Sequence, residues 1–459
     1  MSVKRRKPQQ LQLAFMSESR GEAPTAEMQG TEASTAKRQS ESPAGTEQMM
    51  EAVCKRENLW KALKQVQANK GSGGIDGMTV KQLSGYLAKH WPAIREQLLE
   101  GTYQPQAVKR VAIPKPDGGV RQLGVPTVLD RFIQQAVMQV LQGQWDRTFS
   151  QHSYGFRPGR SAHQAVAAAQ RQIADGCRWV VDIDLERFFD RVNHDRLMGS
   201  IAKRVEDKRL LRLIRAFLSA GVMVNGLVSP TDEGTPQGGP LSPWLSNVVL
   251  DELDRELESR GHRFVRYADD CNIYVRSQRA GQRVMQSIQR FITRKLKLKV
   301  NASKSAVARP WGRKFLGFTF TADRQPKRRI APQALARFTR RVRHLTRRTR
   351  GIGVATMVKQ LATYLRGWVG YFGFCQTPSV LGRLNSWIHR RLRGFVWKQW
   401  KRGRRRFAEL RRLGVGKNLA AQTAGSPHGP WRISRSPALS YALPNAFWAN
   451  IGLPQLTVR

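Results

Sequence analysis

Acidic residues are scarce in this chain. Only 33 Asp and Glu stand against 79 Lys and Arg, for a formal net charge of +46 over 459 residues. A fold this basic calls for a polyanion, because unneutralised like charge opposes compaction. Nucleic acid is the first candidate and an anionic membrane surface the second. Long apolar runs are missing as well. No stretch of about 18 apolar residues occurs, which excludes a spanning helix. The basic start (Lys4, Arg5, Arg6, Lys7) is not followed by the roughly 7–15 apolar residues of a secretory leader. Cysteine is sparse. Cys54, Cys177, Cys271 and Cys375 lie far apart, with no CxxC and no neighbouring His pair. That argues against a disulfide framework and a structural zinc, and predicts a reducing, cytosolic setting.

What is present divides the chain. Its length suggests two to four units at about 100–200 residues each, and 40% hydrophobic residues suffice for a core. Residues 1–50 are rich in Glu, Ser, Ala, Gln and Thr with one aromatic, Phe15, so disorder is expected there. Helical spacing begins near Met49, as in Leu59, Leu63 and Val66. The loop Gly71-Ser-Gly-Gly-Ile-Asp-Gly77 is neither a Walker loop nor a GxGxxG, and is given no nucleotide role. Val108–Ile113, the turn Pro116-Asp-Gly-Gly119 and Val120–Val125 read as a hairpin. A helix follows through Val128, Phe132, Ile133, Val137 and Leu141. Strands and helices mix out to about residue 320, which predicts an α+β domain.

Beyond residue 320 the character changes. Residues 321–459 hold 29 Lys and Arg against Asp323 and Glu409, so +27 of the +46 sits in under a third of the length. Val380, Leu384, Ile388, Leu392, Phe395 and Val396 keep helical spacing there. A basic helical domain that meets phosphates is expected rather than a basic tail. Trp368, Tyr371, Trp387, Trp397 and Trp400 interleave with its aliphatics and are assigned mostly to its core. Lys401-Arg-Gly-Arg-Arg-Arg406 is the run assigned to nucleic acid.

Two segments carry chemistry. In Arg178-Trp-Val-Val-Asp-Ile-Asp184 the strand alternation puts Asp182 and Asp184 on one face of an apolar run. Carboxylates so placed are costly to bury unless paired or bound to metal. In Phe264-Val-Arg-Tyr-Ala-Asp-Asp-Cys-Asn-Ile-Tyr-Val275 two apolar runs flank Asp269-Asp270 at a hairpin turn. Joining a 3′-hydroxyl to a nucleotide α-phosphate needs two Mg²⁺ about 3.5–4 Å apart. Two or three Asp on adjoining strand edges, completed by phosphates, meet that need.

Tyr267-Ala-Asp-Asp270 resembles the YxDD signature of reverse transcriptases, and Asp184 with Phe189 resembles their DxxxxF motif. The resemblance implies a right-hand polymerase. It makes Asp184, Asp269 and Asp270 the catalytic metal ligands for two Mg²⁺, with Mn²⁺ as a substitute, and leaves Asp182 in support. Phe189 becomes the residue that crowds a ribose 2′-hydroxyl. Gly234-Thr-Pro-Gln-Gly-Gly-Pro-Leu-Ser-Pro243 is similar to the family's PQG…SP block, with Gln237 at the template or incoming nucleotide. Lys115 and Arg121 match the fingers cations that hold the triphosphate. Lys304 matches a lysine placed near the pyrophosphate, and Phe315-Leu-Gly-Phe318 the hairpin that steadies the primer.

Gly74-Ile-Asp-Gly77, Tyr154-Gly-Phe-Arg-Pro-Gly-Arg160 and Gly367-Trp-Val-Gly-Tyr-Phe372 narrow the resemblance to bacterial group II intron-encoded proteins. The domains then implied are a disordered segment 1–50, fingers and palm 51–320, an all-α thumb/maturase domain 321–400, and a basic nucleic-acid-binding segment 401–459 carrying Arg402, Arg404, Arg405 and Arg406. The partners implied are the intron RNA, an RNA template with a DNA primer or target, and dNTPs, in a bacterial cytoplasm or on its nucleoid, with no membrane. The activities implied are help with splicing and copying of the intron RNA into DNA during retrohoming. The last 60 residues have no Cys and one His, His428, so no HNH endonuclease is expected. Two alternatives stay open: a reverse transcriptase of a retron, diversity-generating or CRISPR-associated system, and an RNA-binding splicing factor with a non-functional polymerase site.

Overall fold

The computed structural model describes residues 48–114, 119–224, 227–229, 234 and 238–458. Nearly all of the segment expected to be disordered, 1–47, lies outside them. The chain folds as two compact units. The first runs to Ser161 and takes in Val181–Ile273 and Arg279–Val307; the second joins Ala162–Val180, Tyr274–Gln278 and Ala308–Arg459.

The first unit opens with helices Met49–Cys54, Arg56–Asn69 and Leu83–Glu100. Leu59, Leu63 and Val66 are buried at the helical spacing read from sequence. Next comes the hairpin of β1 (Val108–Pro114) and β2 (Val120–Val125), paired from Lys109 with Val125 to Pro114 with Val120. Helix Val128–Trp145 follows and buries Val128, Phe132, Ile133, Val137 and Leu141. Thr127 caps it by accepting from the Asp130 amide at 3.0 Å. Buried Asp130 accepts from the Thr127 hydroxyl at 2.6 Å and the Tyr103 hydroxyl at 2.9 Å. Burial raises its pKa, against those bonds. The glycine loop serves this cap: a Cβ on Gly74 would lie 2.6 Å from the Thr127 Cα. At Gly74 the loop packs directly on the start of that helix.

The remaining strands are β3 (Trp179–Ile183), β4 (Val222–Val224), β5 (Leu227–Ser229), β6 (Arg263–Tyr267), β7 (Asp270–Val275), β8 (Ala306–Ala308), β9 (Phe318–Phe320) and β10 (Arg328–Ile330). One sheet has the order β2-β1-β4-β5 and a second β6-β7-β3-β8. Helix Ser242–Ser259 packs on β6 and buries Leu245, Val249, Leu253 and Leu257.

The second unit is mainly helical, with helices Pro332–Leu345, Val354–Phe372 and Pro378–Gln399 followed by five shorter ones. Ring contacts build its core: Phe338 lies 4.2 Å from Trp368, and Trp368 5.0 Å from Phe372. Trp368, Trp397 and Trp400 are buried, whereas Tyr371 and Trp387 are half-exposed. β9 and β10 form an antiparallel pair. Ahead of β9, Leu316 and Gly317 take positive φ of 51° and 82°. The Tyr371 hydroxyl donates to the Leu316 carbonyl at 2.7 Å, and a Cβ on Gly317 would lie 3.2 Å from the Phe372 ring. Thus the Phe315–Phe318 turn leans on the Gly367–Phe372 motif. No boundary between the compact units falls at residue 400. Helix Pro430–Ile433 packs on Pro378–Gln399, and a Cβ on Gly394 would lie 3.3 Å from the Pro430 carbonyl oxygen. The stretch after 400 buries Leu410, Val415, Leu439 and Trp448, so it is folded structure rather than an appended segment.

Candidate active site

Asp184 lies one residue beyond β3. Its amide donates to the Ser305 hydroxyl at 3.0 Å, and its carbonyl accepts from the Asn301 amide at 2.8 Å. Leu185 bridges Val300, and the Glu186 amide donates to the Lys299 carbonyl at 2.8 Å. These bonds stitch the turn that carries exposed Lys304 to the backbone around Asp184. Val181 and Ile183 are buried while Asp182 and Asp184 stay half-exposed. The strand thus keeps its apolar groups inside and both carboxylates accessible.

The second carboxylate segment is a tight turn. β6 ends at Tyr267, β7 starts at Asp270, and Ala268 turns the chain at a φ of +57°. Asp269 is half-exposed and Asp270 exposed. Burial pushes the Cys271 thiol far up, and the charges of Asp254, Asp182 and Asp270 push the same way, with Arg266 opposing. One buried sulfur on β7 therefore feels carboxylates of both β3 and β7.

Gly234, at the start of the Gly-rich block, comes close to the turn that carries Phe189. Gly234 donates to the Val192 carbonyl at 2.8 Å, and its carbonyl lies 2.5 Å from Nε2 of buried His194. It has a φ of +93°, and a Cβ there would stand 2.9 Å from the Phe189 carbonyl oxygen. Only glycine fits a left-handed position this close to another backbone. At the far end of the same block, a Cβ on Gly238 would stand 2.6 Å from the Gly124 oxygen in β2. Gly234 thus lies against the Phe189 turn, and Gly238 against β2. Phe189 itself is half-exposed, edge-on to Phe188 at 5.2 Å. Lys115 and Gln237 lie outside the described residues. Arg121 pairs through its backbone with Ile113; its side chain is not among those described.

Sequence reasoning missed the group beneath the turn. Arg266, read only as a flank of the acidic pair, is fully buried and ion-paired with fully buried Asp254 at 2.6 Å. Gly155 and Arg157, noted only as marks of resemblance, are structural. A Cβ on Gly155 would collide with the Ala268 nitrogen and lie 2.9 Å from the Tyr267 carbonyl carbon. Arg157 is buried, pairs with Asp146 at 2.9 Å and donates to the Ser153 carbonyl at 3.0 Å. The available signal was a lone Arg inside an apolar strand run, which needs a buried partner.

In the second unit, Arg402, Arg404 and Arg405 are exposed at the start of helix Gly403–Arg412. Arg406 differs. It is half-buried, and its guanidinium lies 4.6 Å from the Trp397 ring centroid.

The carboxylates are hard oxygen donors suited to Mg²⁺. Among the described residues no three His, Cys, Asp or Glu side chains gather into a complete ligand set. A site completed by nucleotide phosphates needs only one or two carboxylates per ion. Among the described residues no helix is long and apolar enough to cross a membrane.

Residues 113–320 match the reverse transcriptase (RNA-dependent DNA polymerase) family, and residues 335–414 the group II intron maturase-specific domain. Protein YkfC of Escherichia coli is 37% identical over 47% of this chain and 58% of its own length. Group II intron-encoded protein LtrA of Lactococcus lactis is 38% identical over 42% of this chain and 32% of its own. Among solved structures, a partial Cas6-RT-Cas1–Cas2 complex aligns with 54% of this chain and 43% of its own at 26% identity, with a TM-score of 0.35. The aligned stretches thus cover 58% of one curated relative and 32% of the other. A stretch similar to reverse transcriptases is thus followed along this chain by one similar to the group II intron maturase-specific domain.

Proposed function

We propose that this protein is an RNA-directed DNA polymerase that binds group II intron RNA, assists its splicing and copies it into DNA during retrohoming. The observation that carries this reading is the succession of the two matched domains, with half-exposed Asp184 and the Asp269-Asp270 turn in the first. Asp184, Asp269 and Asp270 would hold two Mg²⁺, whose charge would favour the attacking 3′-hydroxyl and the leaving pyrophosphate. Phe189, beside the Gly-rich block, sets the sugar pocket. Lys115, Arg121 and Gln237 receive the nucleotide, and Lys304 stands at the pyrophosphate side. The exposed arginines of the second unit grip folded RNA through its phosphates, which together with shape and 2′-hydroxyls dominate RNA recognition.

Primer extension on an RNA template tests the reading. Asp269→Asn removes a charge at nearly constant volume. RNA affinity should stay at the parental value while extension falls more than about 100-fold, beyond what loss of an outer-shell partner costs. Extension within tenfold of the parent overturns the catalytic assignment. Phe189→Ala should raise ribonucleotide incorporation relative to dNTP incorporation; an unchanged ratio returns Phe189 to the core.

A further inference from the structure

We propose that Arg266 is a positioning residue that sets the Ala268–Asp269 peptide, and through it the place of the Asp269 carboxylate. The proposal rests on the reading of Asp269 as a metal-holding group. A guanidinium has five N–H donors in a fixed plane. Here all five are used. Nε donates to Asp254 Oδ1 at 2.7 Å and Nη2 to Asp254 Oδ2 at 2.6 Å. Nη2 also donates to the Ser153 hydroxyl at 2.8 Å. Nη1 donates to Asn247 Oδ1 and to the Ala268 carbonyl, both at 3.0 Å. The first four bonds fix the fork to a helix and to the segment before Tyr154. The fifth transmits that fixed plane to the turn.

The turn needs such a hold. An alanine at a φ of +57° carries a steric penalty that it escapes when free to relax. Two contacts keep it there. Arg266 holds the carbonyl from one side, and the backbone of Gly155 fills the space at the amide on the other. Asn247 ties the two together, because its amide donates to the Gly155 carbonyl at 2.9 Å while its oxygen accepts from Arg266. Backbone bonds brace the same pair: the Tyr154 amide donates to the Arg266 carbonyl, and the Arg266 amide to the His152 carbonyl, each at 2.9 Å. A peptide is planar, so a fixed Ala268 carbonyl fixes the Asp269 nitrogen and the origin of its side chain. Stability alone does not call for this arrangement, since a volume-matched apolar pair often replaces a buried ion pair without loss. What an apolar pair cannot supply is the donor to Ala268.

The test uses the full chain and two readouts, direct Mn²⁺ binding followed by the signal of free Mn²⁺, and single-nucleotide incorporation. Asp254→Leu/Arg266→Met removes both charges together and leaves neither unpaired. Its RNA affinity should match the parent, and its melting temperature should fall only modestly, because Asn247 Oδ1 and the Ala268 carbonyl lose a donor. Mn²⁺ affinity and kcat should each fall about 10–100-fold, the range for partners that orient a metal ligand, with KM for dNTP little changed. Arg266→Lys keeps the charge opposite Asp254 and loses the fork; it should fall in the same direction by less. Parental Mn²⁺ affinity and kcat in both variants overturn the proposal. Should the double variant not fold, Arg266→Lys decides alone on the same readouts. The parent and Asp269→Asn run beside them. A parent that neither binds Mn²⁺ nor incorporates dNTP overturns the functional reading and the proposal with it. A competent parent, an incompetent Asp269→Asn and parental Arg266 variants overturn the positioning role alone.

Discussion

Arginine does different work in the two units. In the first, buried or half-buried arginines meet acids: Arg266 with Asp254, Arg157 with Asp146, Arg209 with Glu51 and Asp207. Burial opposes the charge on Arg266, but Asp254 more than offsets it, and its pKa ends above the usual value. In the second unit acids are few, and arginines lean on carbonyls and rings instead. Arg390 lies 3.8 Å from the Trp431 ring centroid and donates to the Trp431 carbonyl at 3.1 Å. Arg391 donates to Thr346 Oγ1 at 2.6 Å, and Arg393 to the Leu443 carbonyl at 3.2 Å. Burial lowers the pKa of all three, and neighbouring arginines lower those of Arg390 and Arg391 further. Thr346 and Leu443 are the C-caps of their helices, the negative ends of the dipoles. Dipoles and rings hold an arginine in place without cancelling its charge. The named arginines of the first unit are thus neutralised by acids that fix their geometry. Those of the second keep their charge uncancelled.

Stripping the partner should expose the contrast most. Asp254→Asn leaves the buried Arg266 charge without its counter-ion and should destabilise the first unit by about 3–5 kcal/mol. Arg393→Met in the second unit gives up one carbonyl bond and should cost about 1 kcal/mol. Chemical denaturation of the two variants beside the parent measures both; equal losses would erase the distinction. The exposed cluster should behave differently again. Replacing Arg402, Arg404 and Arg405 by Gln should leave the melting temperature unchanged and weaken RNA binding. The slope of log affinity against log salt should flatten by about 0.7 for each phosphate that is no longer neutralised, the single-strand value. Arg406→Gln should do the reverse. It gives up its stacking on the Trp397 ring, worth about 0.5–2 kcal/mol, and should lower stability with little change in slope. A slope that moves equally in both variants would make Arg406 one more solvated cation.

Periodicity made the helices and the fingers hairpin legible. Leu59, Leu63 and Val66, and the set from Val128 to Leu141, are buried as spaced, because one apolar stripe per helix needs no knowledge of its neighbour. The Asp269-Asp270 turn was legible for the same local reason. Arg266 was not. Its partners Asp254, Asn247 and Ser153 stand 12, 19 and 113 residues away, and no spacing rule links them. Glycines misled in a related way. Gly74 and Gly155 read as loop or motif residues, yet each is set by one backbone that approaches it from elsewhere in the fold. The boundary at residue 400 came with the resemblance and the charged run that starts at Lys401. Charge is a surface property, while the helices after 400 are joined to those before it by Gly394 and the buried apolar residues.

The smallest effect concerns His389, which carries the second unit's habit over to a titrating group. It is buried in helix Pro378–Gln399 at 6% exposure. Burial lowers its pKa from 6.5, the Arg393 charge lowers it further, and a hydrogen bond with Asn445 acts in the opposite direction. A base with a depressed folded pKa takes its proton first in the unfolded state. Its contribution to stability is therefore complete above about pH 6.5 and is lost as pH falls below that value. Acidification from pH 8 to pH 5.5 should speed hydrogen exchange in this helix, relative to intrinsic rates, more in the parent than in His389→Gln, whose side chain does not titrate. The comparison is internal to each pH, so the other histidines cancel. Equal acceleration in both proteins would mean that His389 accepts its proton in the folded state as readily as in the unfolded one. The helical unit would then tolerate this added charge next to Arg393 as well as it tolerates its arginines.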